Sequence, residues 1–176
     1  MANTVSVLIS EEDTEKRIKE LAAEISRDYE GKEVLFVGIL KGSIFFTTEL
    51  AKHMTIPVTF DFMSVSSYGD ATVSSGRVKI IKDLDNSIEG KDVIIIEDII
   101  DSGRTLDHLL KLLSVRKPNS LKLCTLLDKP DRREIDVKVD YTGFKIPDAF
   151  VVGFGLDYKQ HYRNLPYVGV LHLDEE

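Results

Sequence analysis

A chain of 176 residues, 43% hydrophobic and 30% charged, has the size and make-up of one globular domain over residues 1–176, with a core that needs no staples. A net charge of −7 disfavours a non-specific grip on nucleic acid, although one local pocket can still hold an anion. The single cysteine, Cys124, excludes an intrachain disulfide framework and reads as a buried, inert thiol. No apolar run reaches membrane-spanning length and no basic-then-apolar leader is visible, so a cytoplasmic enzyme or binding protein is expected.

In chain order, Ser10 before Glu11, Glu12 and Asp13 predicts a helix N-cap. Ile18, Leu21, Ala22 and Ile25 then recur at helical spacing, and Gly31 is a plausible stop. "EVLFVGIL" (33–40) predicts a buried strand and "SIFFTTELAKHM" (43–54) the helix after it. "PVTFDFMSV" (57–65) alternates as a strand does. "SSYGDATVSSG" (66–76) is small, polar and aperiodic, which predicts a long loop of the kind that covers a site. "RVKIIKD" and the apolar "DVIIIED" (92–98) predict strands. Residues 105–115 form a helix with Leu106, Leu109, Leu110 and Leu113 on one face, ended by Pro118. "SLKLCTLLDK", "AFVVGFGLD" and "YVGVLHL" complete the predicted strands. This alternation predicts an α/β domain with a central, mostly parallel sheet between helices, and ligands beyond the carboxyl ends of its strands.

The densest chemistry lies in "VIIIEDIIDSGRTL" (93–106). An apolar strand that ends near Glu97 brings Glu97 and Asp98 out at the sheet's carboxyl edge. Asp101, Ser102, Gly103, Arg104 and Thr105 then make a tight turn into a helix. Its free N–H groups, its two hydroxyls and the helix N-terminus form an anion site suited to a phosphate. Gly103 permits close backbone approach. Carboxylates suit sugar hydroxyls or a hydrated metal, so a ribose phosphate fits both halves. Neither the Walker P-loop nor the dinucleotide fingerprint is present.

This segment resembles the phosphoribosyl-diphosphate (PRPP) binding motif of type I phosphoribosyltransferases, the hypoxanthine–guanine branch in particular. "GILKGSIFF" (38–46), "SSYG" (66–69), "LLDKPDRR" (126–133) and "IPDAFVVGFGLDYKQHYRNLPYVGVL" (146–171) are similar to four further motifs of that branch, in the same order. The resemblance implies the type I phosphoribosyltransferase fold, with a small hood and a flexible active-site loop. It implies transfer of ribose 5-phosphate from PRPP to N9 of a 6-oxopurine, with pyrophosphate released and Mg²⁺ as cofactor.

Residue by residue, the resemblance puts Glu97 and Asp98 on the ribose hydroxyls, directly or through hydrated Mg²⁺. It makes Asp101 the proton-handling acid near purine N7 and gives Ser102, Gly103, Arg104 and Thr105 the 5′-phosphate. Lys129 would donate to purine O6; a lysine donates and cannot accept, so it selects oxo over amino at C6. Phe150 would stack on the base, the backbone near Val151 and Asp157 would meet its edge at C2, and the Asp157 side chain would hold a second Mg²⁺. Lys41, Gly42 and Arg163 fall to pyrophosphate, with a cis peptide at Leu40–Lys41, and Ser67 and Tyr68 to the flexible loop. A homodimer or homotetramer is implied.

Alternatives are a xanthine-preferring relative or a PRPP-sensing regulator of the same fold. The presence of Asp101 and Lys129 and the acidic balance speak against the regulator. His53, His108, His161 and His172 lack metal-ligand spacing and read as structural or surface residues, and Lys79 and Lys82 as a solvated face.

Overall fold

The computed structural model describes residues 3–67 and 78–174. Its elements are β1 (Thr4–Ile9), α1 (Glu11–Asp28), β2 (Val34–Ile39), α2 (Ile44–Lys52), β3 (Val58–Ser67), β4 (Val78–Lys82), β5 (Asp92–Ile100), α3 (Arg104–Ser114), β6 (Ser120–Asp128), β7 (Tyr141–Lys145), β8 (Val151–Val152) and β9 (Val168–His172). Six strands form the main sheet in the order β4-β3-β2-β5-β6-β7. All its neighbours from β3 to β7 run parallel, and β4 joins β3 antiparallel at one edge.

Helices cover both faces, which is why β5 is apolar without alternation. Ile94 and Ile96 meet α1 (Ile18, Leu21, Ile25) and α2 (Phe46, Leu50) on one side. Val93 and Ile95 meet Leu106, Leu109 and Leu113 of α3 on the other. The capping reading of α1 holds: Ser10 Oγ accepts the Asp13 N–H at 3.1 Å. Cys124 is buried, and burial raises its thiol pKa. Among the described residues no helix is long and apolar enough to cross a membrane.

Several expectations need correction. β5 does not stop at the acids; its ladder with β6 continues through Ile99↔Leu127 and Ile100↔Asp128. β1 and β7 are strands that periodicity did not predict. "AFVVGFGLD" keeps only two extended residues, because Gly153 (φ 93°), Phe154 (φ 47°) and Gly155 (φ 99°) turn the chain. Ser66 and Ser67, expected in a loop, still belong to β3 and pair with Lys79 and Val78. Tyr68 and the rest of 68–77 lie outside the described residues.

The small hood is present as a three-stranded antiparallel sheet, β1-β9-β8. It carries Val151 and Val152. The carboxyl ends of β2, β5 and β6 therefore converge where the sequence placed the ligand.

Candidate active site

The turn between β5 and α3 is shaped by Gly103, which caps the helix at φ 82°. A Cβ there would also stand 2.9 Å from the Ile135 carbonyl oxygen, so conformation and space both demand glycine. The first helical bond runs from the Asp107 N–H to the Gly103 carbonyl at 2.9 Å. The amides of Arg104, Thr105 and Leu106 precede it, at the positive end of the helix dipole. A cavity of about 220 Å³ opens here, lined by Glu97, Asp101, Ser102, Gly103 and Thr105 among others. The Arg104 side chain turns elsewhere, its Nε donating to the Glu134 carboxylate.

Glu97 faces this cavity. Burial first, then the charge of Asp98, push the Glu97 carboxyl well above its usual range. Burial raises Asp98 too, against the pull of the Ile99 N–H and of Arg163. Two crowded carboxyls, only one of which feels Arg163, are a receptive place for a cation. Among the described residues no group of three or more His, Cys, Asp or Glu gathers to cage a metal.

Asp98 presses on the loop after β2. A Cβ on Gly42 would fall 1.7 Å from Asp98 Oδ2, and one on Gly155 would fall 2.0 Å from the Gly42 carbonyl oxygen. Three chain segments thus nest closely, the Asp98 carboxylate on one side of Gly42 and the Gly155 backbone on the other. The Leu40–Lys41 peptide is cis, as the resemblance implied.

Beside this nest lies a polar cluster. Arg163 Nη1 donates to the Gly155 carbonyl at 2.6 Å, and Nη2 lies 3.3 Å from Asp157 Oδ1. Gln160 accepts from Arg163 Nη2 at 3.1 Å and from Lys41 Nζ at 3.4 Å. Its own N–H donates to Asp157 at 2.8 Å. The structure therefore brings Lys41, Asp157 and Arg163 together. It adds Gln160, which no sequence signal marked.

On the base side, Lys129 is only 9% exposed, and its Nζ stands 3.8 Å from Asp101 Oδ1. A lysine is rarely buried without a task or a partner. Phe150 is 52% exposed and meets Tyr158 edge-on, with ring centroids 5.8 Å apart. It is not core, and it directly precedes Val151 of β8. Ser67 Oγ lies 3.4 Å from Thr105 Oγ1, so the end of β3 touches the turn at the start of α3. His108 does more than decorate a surface: its Nδ1 accepts the Val78 N–H at 3.3 Å, fixing the start of β4 to α3.

Residues 8–159 match the phosphoribosyl transferase domain family. The chain is 58% identical to hypoxanthine-guanine phosphoribosyltransferase of Bacillus subtilis (strain 168), over 94% of this chain and 92% of that one. It is 52% identical to hypoxanthine phosphoribosyltransferase of Salmonella typhimurium, over 99% and 100% of the two. The crystal structure of a Staphylococcus aureus hypoxanthine phosphoribosyltransferase superposes with a TM-score of 0.92 at 54% identity, covering 95% of this chain and 91% of that one.

Proposed function

Because the chain belongs to the phosphoribosyltransferase family, in its hypoxanthine–guanine group, we propose that the cavity at the end of β5 is where its transfer reaction occurs. The reaction is purine salvage: ribose 5-phosphate moves from PRPP to N9 of hypoxanthine or guanine. The C1–N9 bond forms as the C1–O bond to pyrophosphate breaks, and the base gives up a proton. Charge grows at both ends, positive at C1 and negative on the leaving group.

The phosphate turn holds the 5′-phosphate through the amides of Gly103, Arg104 and Thr105 and the hydroxyls of Ser102 and Thr105. Glu97, with Asp98 behind it, binds the ribose hydroxyls. Lys129 donates to purine O6, and Asp101 beside it takes up the purine proton near N7. Phe150 stacks on the base and the Val151 backbone reads its edge. Lys41, Gly42 and Arg163 receive pyrophosphate, with Ser67 at the end of β3 beside the turn. Enzymes of this family need a divalent metal; Glu97, Asp98 and Asp157 would hold Mg²⁺, which neutralises charge on the leaving group. Ile44 and Phe45 are each 41% exposed beside Lys41, which supports a homodimer or homotetramer joined near this loop.

One observation carries this reading: Glu97, Asp101, Ser102, Gly103 and Thr105 line a single cavity, and Lys129 stands 3.8 Å from Asp101 at its rim. The test is kcat/KM with PRPP and Mg²⁺ for hypoxanthine, guanine and xanthine. Turnover of the first two above xanthine is expected. Failure on all three overturns the reading, and a preference for xanthine redirects it.

A further inference from the structure

Arg133 has no role in the scheme above, yet its contacts converge on the phosphate turn. Its Nε donates to the Asp101 carbonyl at 3.0 Å. Its Nη2 pairs with the carboxylate of Asp128, a residue only 6% exposed. Its Cδ packs where a Cβ on Gly103 would sit, 3.1 Å away. The next two amides, Glu134 and Ile135, both donate to the Ser102 carbonyl, at 2.9 and 3.0 Å. The same segment begins at Lys129, whose own N–H donates to the Ile100 carbonyl at 3.0 Å. One short stretch, 129–135, thus clamps the whole turn from outside.

The clamp matters most for Asp101. Its side chain is half exposed, and its ion pair with Lys129 is long at 3.8 Å. Side-chain packing does not fix it, so its place is set through its backbone. We propose that Arg133 is a positioning residue: it ties the Asp101 backbone to the segment that carries Lys129. The proton-handling carboxyl and the O6 donor are thereby held at one spacing. This rests on the role given to Asp101 and goes beyond it by naming what sets that group's position.

Arginine suits the task because its fork presents separate N–H donors to the Asp128 carboxylate and to the Asp101 carbonyl. Deleting the guanidinium alone would strand a buried carboxylate and threaten the fold. Arg133→Lys keeps the counter-charge for Asp128 and gives up the tether on Asp101. We expect kcat to fall by about ten- to a hundred-fold, KM for PRPP to stay within about two-fold, and Tm to move by only about 3 °C. The double variant Asp128→Asn/Arg133→Leu removes the buried pair together and should show the same kcat loss. Wild-type kcat in either variant overturns the proposal. So does loss of kcat, PRPP affinity and Tm together, which would mark a merely structural residue. Should the wild type itself turn over no purine, the catalytic reading fails separately, and hydrogen exchange decides the tether. Arg133→Lys should then speed exchange at the Glu134 and Ile135 amides by about ten-fold, with β5 unchanged. No change at those amides overturns it.

Discussion

The phosphate turn comes from one unbroken stretch between β5 and α3, and its ligating groups are mostly backbone amides. The base side is drawn from Lys129 after β6, Phe150 and Val151 at β8, and Asp157 in the turns beyond. In the proposed scheme the first half recognises a charge that every 5′-phosphate shares, so a helix N-terminus and a glycine suffice. The second must tell one purine edge from another, which takes side chains of definite donor character set at a definite distance. The contrast teaches where each half is fragile: the turn at its glycines, the base side at its polar side chains.

The hardest blow should be Asp101→Ala. We expect kcat/KM for hypoxanthine to drop by about 10²–10⁴-fold, with Tm nearly unchanged because the side chain is half exposed. Gly42→Ala comes next, since its methyl would collide with Asp98 at 1.7 Å. It should cost about 1–3 kcal/mol of stability and about a hundred-fold in activity, both readable from a melt and a rate. Gly90→Ala is the contrast: nothing lies within 4 Å of the added carbon, although φ is 72°. It should cost about 1 kcal/mol of backbone strain and leave kcat/KM alone.

Lys129→Gln sharpens the base side. A glutamine both donates and accepts, so kcat/KM for hypoxanthine should fall by about ten-fold and adenine should be rejected less strictly. Unaltered discrimination would remove Lys129 from base reading. The smallest effect belongs to Glu97→Gln and concerns stability. Burial and the Asp98 charge raise the Glu97 pKa in the folded state, so the native protein holds a proton that the unfolded chain has already released. Stability therefore falls as pH rises upward from the ordinary carboxylate range. Glu97→Gln should be more stable than wild type near pH 8 by about 1 kcal/mol, with the gap closing near pH 4. Mg²⁺ should raise the wild-type Tm at pH 8 more than that of the variant. Parallel pH curves would show that the carboxyl pair carries no uncompensated charge.

What the sequence disclosed follows the same division. β5, the turn and α3 were legible because their signals are local: a continuous apolar run, a small turn, leucines at helical spacing. Even there the strand ran on to Ile100, because the partner ladder with β6, invisible in one segment, continues. β1 and β7 escaped because each is short and takes its identity from a distant partner, such as Val5 opposite Leu171. "AFVVGFGLD" misled because apolar residues fill a glycine turn as readily as a strand. Lys129 was placed by resemblance, since nothing in the composition around it announces a buried lysine. Gln160 and Arg133 left no local trace, because each acts through partners brought near only by folding.

The strand met first in the chain is not a spare handle. Val5 pairs with Leu171 on β9, and β9 pairs through Val170 with Val151 on β8. Gly169 is pressed so close to β1 that an added carbon would lie 2.3 Å from Val5. In the proposed scheme the strand that would read the purine edge is hung, at one remove, from residues near the start of the chain. A protein engineer who trims or crowds β1 for the sake of a tag would loosen the grip on the base and leave the grip on the phosphate intact.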